Sequence, residues 1–245
     1  MNVADLKLGR IKPSPAMLAR APRLSDYQRR ALPLAPLELD YTTGVQYMLG
    51  RNDEYGDCTI VALANYFATA AKREGRSAGF LDVEIVDYYF DESGGADNGL
   101  VETNVLQRAQ QQGFPLTGAH RLAAWVRIDS SNLDVLRSCA SCFWGLYVGA
   151  GLPLRAQSTV GGLWDATGAT DGDDAPDSWG GHAMIVPKYD QVGPTFITWA
   201  QQQRATWAWW RTYVQEVYAL LDAERAQLAG VDFAALLADL QAAAT

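Results

Sequence analysis

One stretch constrains this chain more than any other. Residues 58–71, CTIVALANYFATAA, carry no charge and only Thr59, Asn65 and Thr69 as clearly polar side chains. At about 1.5 Å per residue this is a helix of roughly 20 Å, apolar nearly all round, and such a helix has to be surrounded by protein. Asp57 precedes it in an N-cap position, which puts Cys58 in the first turn, and Lys72 and Arg73 close it where cations suit the helix dipole. A chain of 245 residues, 49% hydrophobic and only 20% charged, has enough apolar mass to bury that helix in one substantial domain.

Around it the pattern is helices first and strands second. Helical segments are expected over 82–90, 102–112 and 132–139. Strands are expected over 142–152, 181–187, 195–200 and 214–221, with a short amphipathic helix over 231–243. This is an α+β layout, a helical half packed against an antiparallel half. Residues 1–44 read as an extended N-terminal arm wrapping the core, punctuated by Pro13, Pro15, Pro22, Pro33 and Pro36, with 45–222 as the main domain and 223–245 as a C-terminal helical extension. The arm is mildly basic on an acidic body, which reads as charge matching within the molecule.

A net charge of −8 leaves no footprint for a phosphate backbone, so nucleic acid is not expected as a partner. No window is long and apolar enough for a membrane span. The first residues lack a signal-peptide core, so a cytoplasmic location is expected, with attachment to a virion or delivery by a signal-independent route as the alternative. Three cysteines do not make a disulfide framework. Cys139 and Cys142 form a C-x-x-C that lacks the second pair a zinc site needs, and it reads as closing a helix and opening a strand. No metal and no other cofactor is expected. The loop carrying Asp171, Asp173, Asp174 and Asp177 lacks EF-hand order and reads as solvated, favouring basic substrates if it acts at all.

Chemistry is confined by scarcity. Of the two histidines, His120 stands in a polar turn, whereas His182 follows the Gly180–Gly181 pair at the start of an apolar strand, where another group can come close. Cys58 feels the positive end of its helix, which favours thiolate and a lowered pKa. Its alternative reading is a small apolar residue opening a buried helix.

A cysteine at the head of a central helix, a histidine on a later strand and then a strand bearing Trp199 resemble the papain-like cysteine peptidases. His182 lies 124 residues after Cys58, near the roughly 130 to 150 of papain relatives. The blocks LGRNDEYGDCTIVALA, SWGGHAMIVPKYD and FITWAQQQRATWAWWRTYVQEVYALL are similar to papain-fold proteins of bacteriophages and bacterial genomes, over residues 45–222. The resemblance implies a Cys58–His182 pair acting on peptide or isopeptide bonds. It places Asn52, six residues before the cysteine, where the family carries an oxyanion-holding Gln. It leaves Thr198 as the nearest group to orient the imidazole, with Asp190 and Gln201 as fallbacks. Trp199, Gly180, Gly181 and Asp57 are assigned to substrate binding, Trp199 as a shield over the pair. A peptide or protein substrate is the implied partner. The alternatives are a papain-fold protein that no longer catalyses and serves in a phage particle or against a host protein, or an acyl transferase of transglutaminase type.

Overall fold

The computed structural model describes residue 3 and residues 6–243. The arm is not extended throughout. It contains strand β1 (Arg10–Ile11), helices α1 (Pro15–Arg20) and α2 (Leu24–Tyr27), and strand β2 (Leu39–Asp40). The proline spacing hid α1, which starts on Pro15 with Ser14 Oγ accepting from Met17 N at 3.2 Å, a capping arrangement in which a first-turn proline costs nothing.

The uncharged stretch is helix α3 (Cys58–Arg73). Every residue from Cys58 to Tyr66 is buried, as are Thr69 and Ala71. The helix α4 (Asp82–Glu92), the short strand β3 (Leu100–Val101) and α5 (Glu102–Gln111) follow, then β4 (Ala124–Arg127) and α6 (Leu133–Cys142). Cys139 and Cys142 both lie inside α6 as free thiols, so the C-x-x-C does not straddle a helix–strand junction. Next come β5 (Leu146–Leu152), α7 (Leu154–Gln157), β6 (Leu163–Trp164), β7 (Gly180–Tyr189), β8 (Pro194–Thr198), β9 (Gln201–Ala205), α8 (Trp207–Tyr213), β10 (Val214–Leu221), α9 (Ala223–Ala229) and α10 (Phe233–Ala242).

The main sheet runs β4-β10-β5-β7-β8-β9-β6, antiparallel except for β6 on β9, with β2 added to β7; β1 and β3 form a separate parallel pair. Helix α3 crosses the sheet and is stitched to it by tyrosines. Tyr66 Oη donates to the Phe143 and Leu220 carbonyls at 2.8 Å each, and Tyr147 Oη to the Thr59 carbonyl at 2.8 Å. Asn65 uses both ends of its amide on the Met48 backbone, accepting at 2.9 Å and donating at 3.2 Å. The apolar run holds three polar residues, of which Thr59 keeps its Oγ1 buried without a hydrogen-bond partner. Two of them, Asn65 and Thr69, find backbone partners inside the protein.

Strand 195–200 is shorter than its β-branched run suggests. Trp199 and Ala200 form a two-residue hairpin loop between Thr198 and Gln201, with φ of 46° and 60°. Both central residues of this turn type need positive φ, normally supplied by Gly or Asn, so the sequence carries no turn signal here and β9 is invisible in it. The Trp cluster 207–210 likewise forms α8, capped by Thr206 Oγ1 accepting from Trp209 N at 3.1 Å.

Leu63 is fully buried between helix and sheet. Leu63→Ala removes that apolar surface and leaves a hole, so its unfolding free energy in denaturant titration is expected to fall by about 2–5 kcal/mol.

Candidate active site

The site forms where the N-terminus of α3 meets the start of β7. Ala183 N donates to Cys58 Sγ at 3.4 Å, which places the sulfur against the residue next to His182. His182 Nε2 and Thr198 Oγ1 are 2.6 Å apart, and His182 Nδ1 is buried with no hydrogen-bond partner. The Trp199 ring stacks on the imidazole, centroids 4.4 Å apart and planes 18° from parallel. Cys58, His182 and Thr198 therefore converge, with Trp199 as a lid over the ring. No hydrogen bond joins Sγ to the imidazole in this conformation.

The strained Trp199–Ala200 loop explains how the lid is held. A left-handed conformation costs a residue with a β-carbon roughly 1–2 kcal/mol, and here it buys the stacking geometry over His182. Asp190 and Gln201 are occupied elsewhere: Asp190 Oδ1 caps its own turn at Val192 N, and Gln201 opens β9.

Asn52 is buried, but its Nδ2 donates to the Tyr55 carbonyl at 3.0 Å, so the amide is engaged within its own turn. Asp57 does not cap α3. Its φ and ψ of −90° and 12° are not those of a side-chain cap, and both carboxyl oxygens are buried without a hydrogen-bond partner. Desolvation pushes this carboxyl up to about 8, and full burial keeps it from touching a substrate in this state. Gly180 and Gly181 open β7 and lie against Leu8 and Arg10 of the arm.

What fills the cleft is the N-terminal arm. Its Gly9 lies close enough to the Cys58 sulfur for the Gly9 backbone, like that of Ala183, to favour thiolate. Lys7 N donates to Asn52 O at 3.0 Å, Trp199 Nε1 to Lys7 O at 3.3 Å, and Leu100 N to Gly9 O at 2.8 Å. Contact is so close that a β-carbon on Gly9 would lie 1.7 Å from the Gly56 carbonyl oxygen, and one on Gly181 would lie 2.2 Å from the Arg10 carbonyl oxygen. Leu8 closes over Gly180. Cys58 and His182 are each only 1% exposed.

This burial overturns the expectation of a lowered thiol pKa. Desolvation pushes the Cys58 thiol up to about 12, against the opposing Ala183 and Gly9 N–H groups, so removal from water outweighs the helix terminus. His182 is held down at about 3, first by desolvation and then by the Arg10 charge. Sulfur and ring are both neutral in the closed state.

Arg10, Glu102 and Glu216 form a buried charge cluster beside Cys58 and His182 that sequence reading did not single out. Arg10 Nε donates to Glu102 Oε2 at 3.0 Å and Glu216 Oε1 at 2.8 Å. One of its terminal nitrogens also bonds Glu216, and the other donates to Gln215 Oε1 at 2.9 Å. The available signal was Glu216 itself, a carboxylate in the largely apolar strand VQEVYALL. His120 has no such role: its ring packs with Phe80 and Phe67 at 4.9 and 5.6 Å.

No protein-family model matches the chain. No curated protein matches it either. Solved structures do. Xylellain, a cysteine protease from Xylella fastidiosa, superposes with a TM-score of 0.66 at 14% identity, covering 88% of this chain and 96% of that one. A chain from the structural work on antibody cross-reactivity between the mite allergens Blo t 1 and Der p 1 gives 0.58 at 12% identity, over 90% and 83%. Digestive procathepsin L 3 from the larval midgut of Tenebrio molitor gives 0.53 at 11%, over 83% and 77%. At these identities the likeness is one of fold: the chain has the α+β papain-like cysteine protease fold.

Two outcomes follow. Ala200→Gly relieves the left-handed strain and is expected to raise the unfolding free energy by up to about 1 kcal/mol after the entropic cost of glycine. His182, neutral when closed, gains a proton on unfolding at acid pH; its contribution is full above about pH 6.5 and is lost as pH falls toward about 3. Between pH 6.5 and 4 the stability of the wild type should therefore fall by up to about 1.4 kcal/mol per pH unit more steeply than that of His182→Gln, measured by denaturant midpoints.

Proposed function

We propose that this papain-fold chain is a cysteine peptidase or isopeptidase held in a latent, arm-covered state. The observation that carries the reading is the convergence of Cys58, His182 and Thr198, with an extended segment of the chain's own arm laid across the sulfur.

With the arm displaced, water re-enters and the desolvation that keeps both groups neutral is lifted. The Cys58 proton then passes to His182 Nδ1, the ring nitrogen left without a partner, while Thr198 holds Nε2. The thiolate attacks the substrate carbonyl carbon, and the C–N bond breaks as the imidazolium gives its proton to the leaving amine. Water, deprotonated by the same imidazole, then cleaves the thioester and regenerates the thiol. The oxyanion would be met by the Cys58 N–H and by Asn52, whose amide has first to leave the Tyr55 carbonyl. Losing one such donor typically costs about 10²–10³ in rate, so Asn52→Ala tests that assignment. Thr198 offers a neutral oxygen, which suits a sulfur nucleophile that needs less activation than a hydroxyl.

Gly9→Ala provides the decisive measurement. Its added β-carbon collides with the Gly56 carbonyl, which should lift the arm without altering any proposed catalytic side chain. Iodoacetamide labelling of Cys58, read on its own peptide by mass spectrometry, is expected to be slow in the wild type. In Gly9→Ala it should be at least tenfold faster, with half-maximal rate well below the free-thiol pKa of about 8.5, and His182→Ala in the same background should abolish the shift. An ordinary thiol profile in the opened protein would instead point to the non-catalytic reading, a papain-fold interaction protein of a phage particle or against a host protein.

A further inference from the structure

Glu102, Glu216 and Gln215 surround a side-chain pocket beside Cys58 that Arg10 fills, with Tyr218 Oη bonded to the second oxygen of Glu216. Both glutamates are buried, at 0% and 2% exposure. Helix α5 supplies Glu102 and β10 supplies Glu216, turned inward at the register shift between Val214 and Glu216. Two glycine positions make the room. A β-carbon on Gly149 would lie 2.1 Å from both Arg10 Nε and Glu102 Oε2, and Gly181 takes the Arg10 backbone.

This pocket departs from what a purely structural ion pair requires. Two carboxylates face one cation, and Glu102 Oε1 is left buried without a partner. Burial, and next the Glu216 charge, push the Glu102 carboxyl well above the ordinary range. A buried acid crowded against a second acid, with one oxygen left without a partner, is costly and calls for an explanation beyond pairing with Arg10. The occupant, moreover, comes from the arm and not from the core: Gly9, the residue before Arg10, lies tight against Gly56, two residues before Cys58. Arg10 therefore stands where a side chain of any extended peptide lying over Cys58 would stand.

We propose that this pocket is a specificity site that takes an arginine side chain of the substrate, next to the bond cleaved, and that Arg10 is its placeholder in the latent chain. The assignment rests on the peptidase reading above. Four donor contacts are spread around the plane of one group, on Nε and both terminal nitrogens, a fork that a guanidinium fills and an ammonium does not. Asp177, on the acidic loop, accepts from Gln215 Nε2 at 2.8 Å and extends the negative potential to the rim, where it would draw in basic peptides.

The test uses the full-length Arg10→Ala protein, whose pocket is empty. Ethylguanidinium is expected to raise its thermal midpoint saturably, while ethylurea, neutral and of similar shape, does not. The wild type, with its pocket filled, should not respond, and adding Glu216→Gln should weaken the effect at least tenfold. Should Arg10→Ala not fold, Arg10→Ala with Glu102→Gln supplies the same space with one carboxylate neutralised. The second arm uses peptidyl chloromethyl ketones with arginine or citrulline at each of the two positions nearest the reactive carbon. Arginine at one of them should label Cys58 at least tenfold faster than citrulline. Equal stabilisation by the urea, or labelling without an arginine preference, overturns the pocket while leaving the peptidase reading intact. Stabilisation by ethylguanidinium with no labelling of Cys58 by any reagent removes the peptidase reading, and the substrate assignment with it.

Discussion

A single buried guanidinium, that of Arg10, organises the chemistry of this protein. Caught between Glu102 and Glu216, it fixes the arm across the cleft, and the arm in turn shuts water out from Cys58 and His182. Removing one member of such a buried cluster typically costs about 3–5 kcal/mol, because the remaining charges lose their partner in a low dielectric. The same cation disfavours protonation of His182. Anchoring the arm and keeping the imidazole neutral thus fall to one side chain.

Burial outweighs the helix terminus at the sulfur. The positive end of α3 and two N–H groups favour thiolate, but complete removal from solvent disfavours any charge by more. The buried Cys58 is therefore a neutral thiol despite its place at the helix head. The papain-like fold supplies the positions, the helix head, the β7 strand and the following hairpin, while the arm lies over them.

The fold was legible where hydrophobic period decides structure. The uncharged run had to be a central helix, and it is; Val214–Leu221 had to be a strand, and it is. Legibility failed where structure comes from tertiary contact. The Trp199–Ala200 turn has no glycine or asparagine to announce it, α1 was masked by the prolines that also permit it, and Asp57, a good cap by type, is buried with its carboxyl unpartnered. Cys58, His182 and Thr198, which the structure brings together, could be singled out because histidines are few and the cysteine heads the uncharged helix. Arg10, Glu102 and Glu216 could not, because they lie up to 206 positions apart and no local pattern links a charge in an arm to one in a strand.

The second half of the arm is secured differently from the first. Tyr27 Oη bonds Asp239, Arg29 pairs with Asp232, and the Asp232 N–H reaches the Tyr27 carbonyl, so residues 27–29 are tied to the C-terminal helix α10 and its approach. A backbone break anywhere from 12 to 22 would leave that tie intact while cutting residues 1–11 loose. The segment over the sulfur would then pass from a tethered ligand, at an effective concentration set by its short linker, to a free peptide that dilutes away. One scission would convert a permanent clasp into a dissociable one, and that change is irreversible.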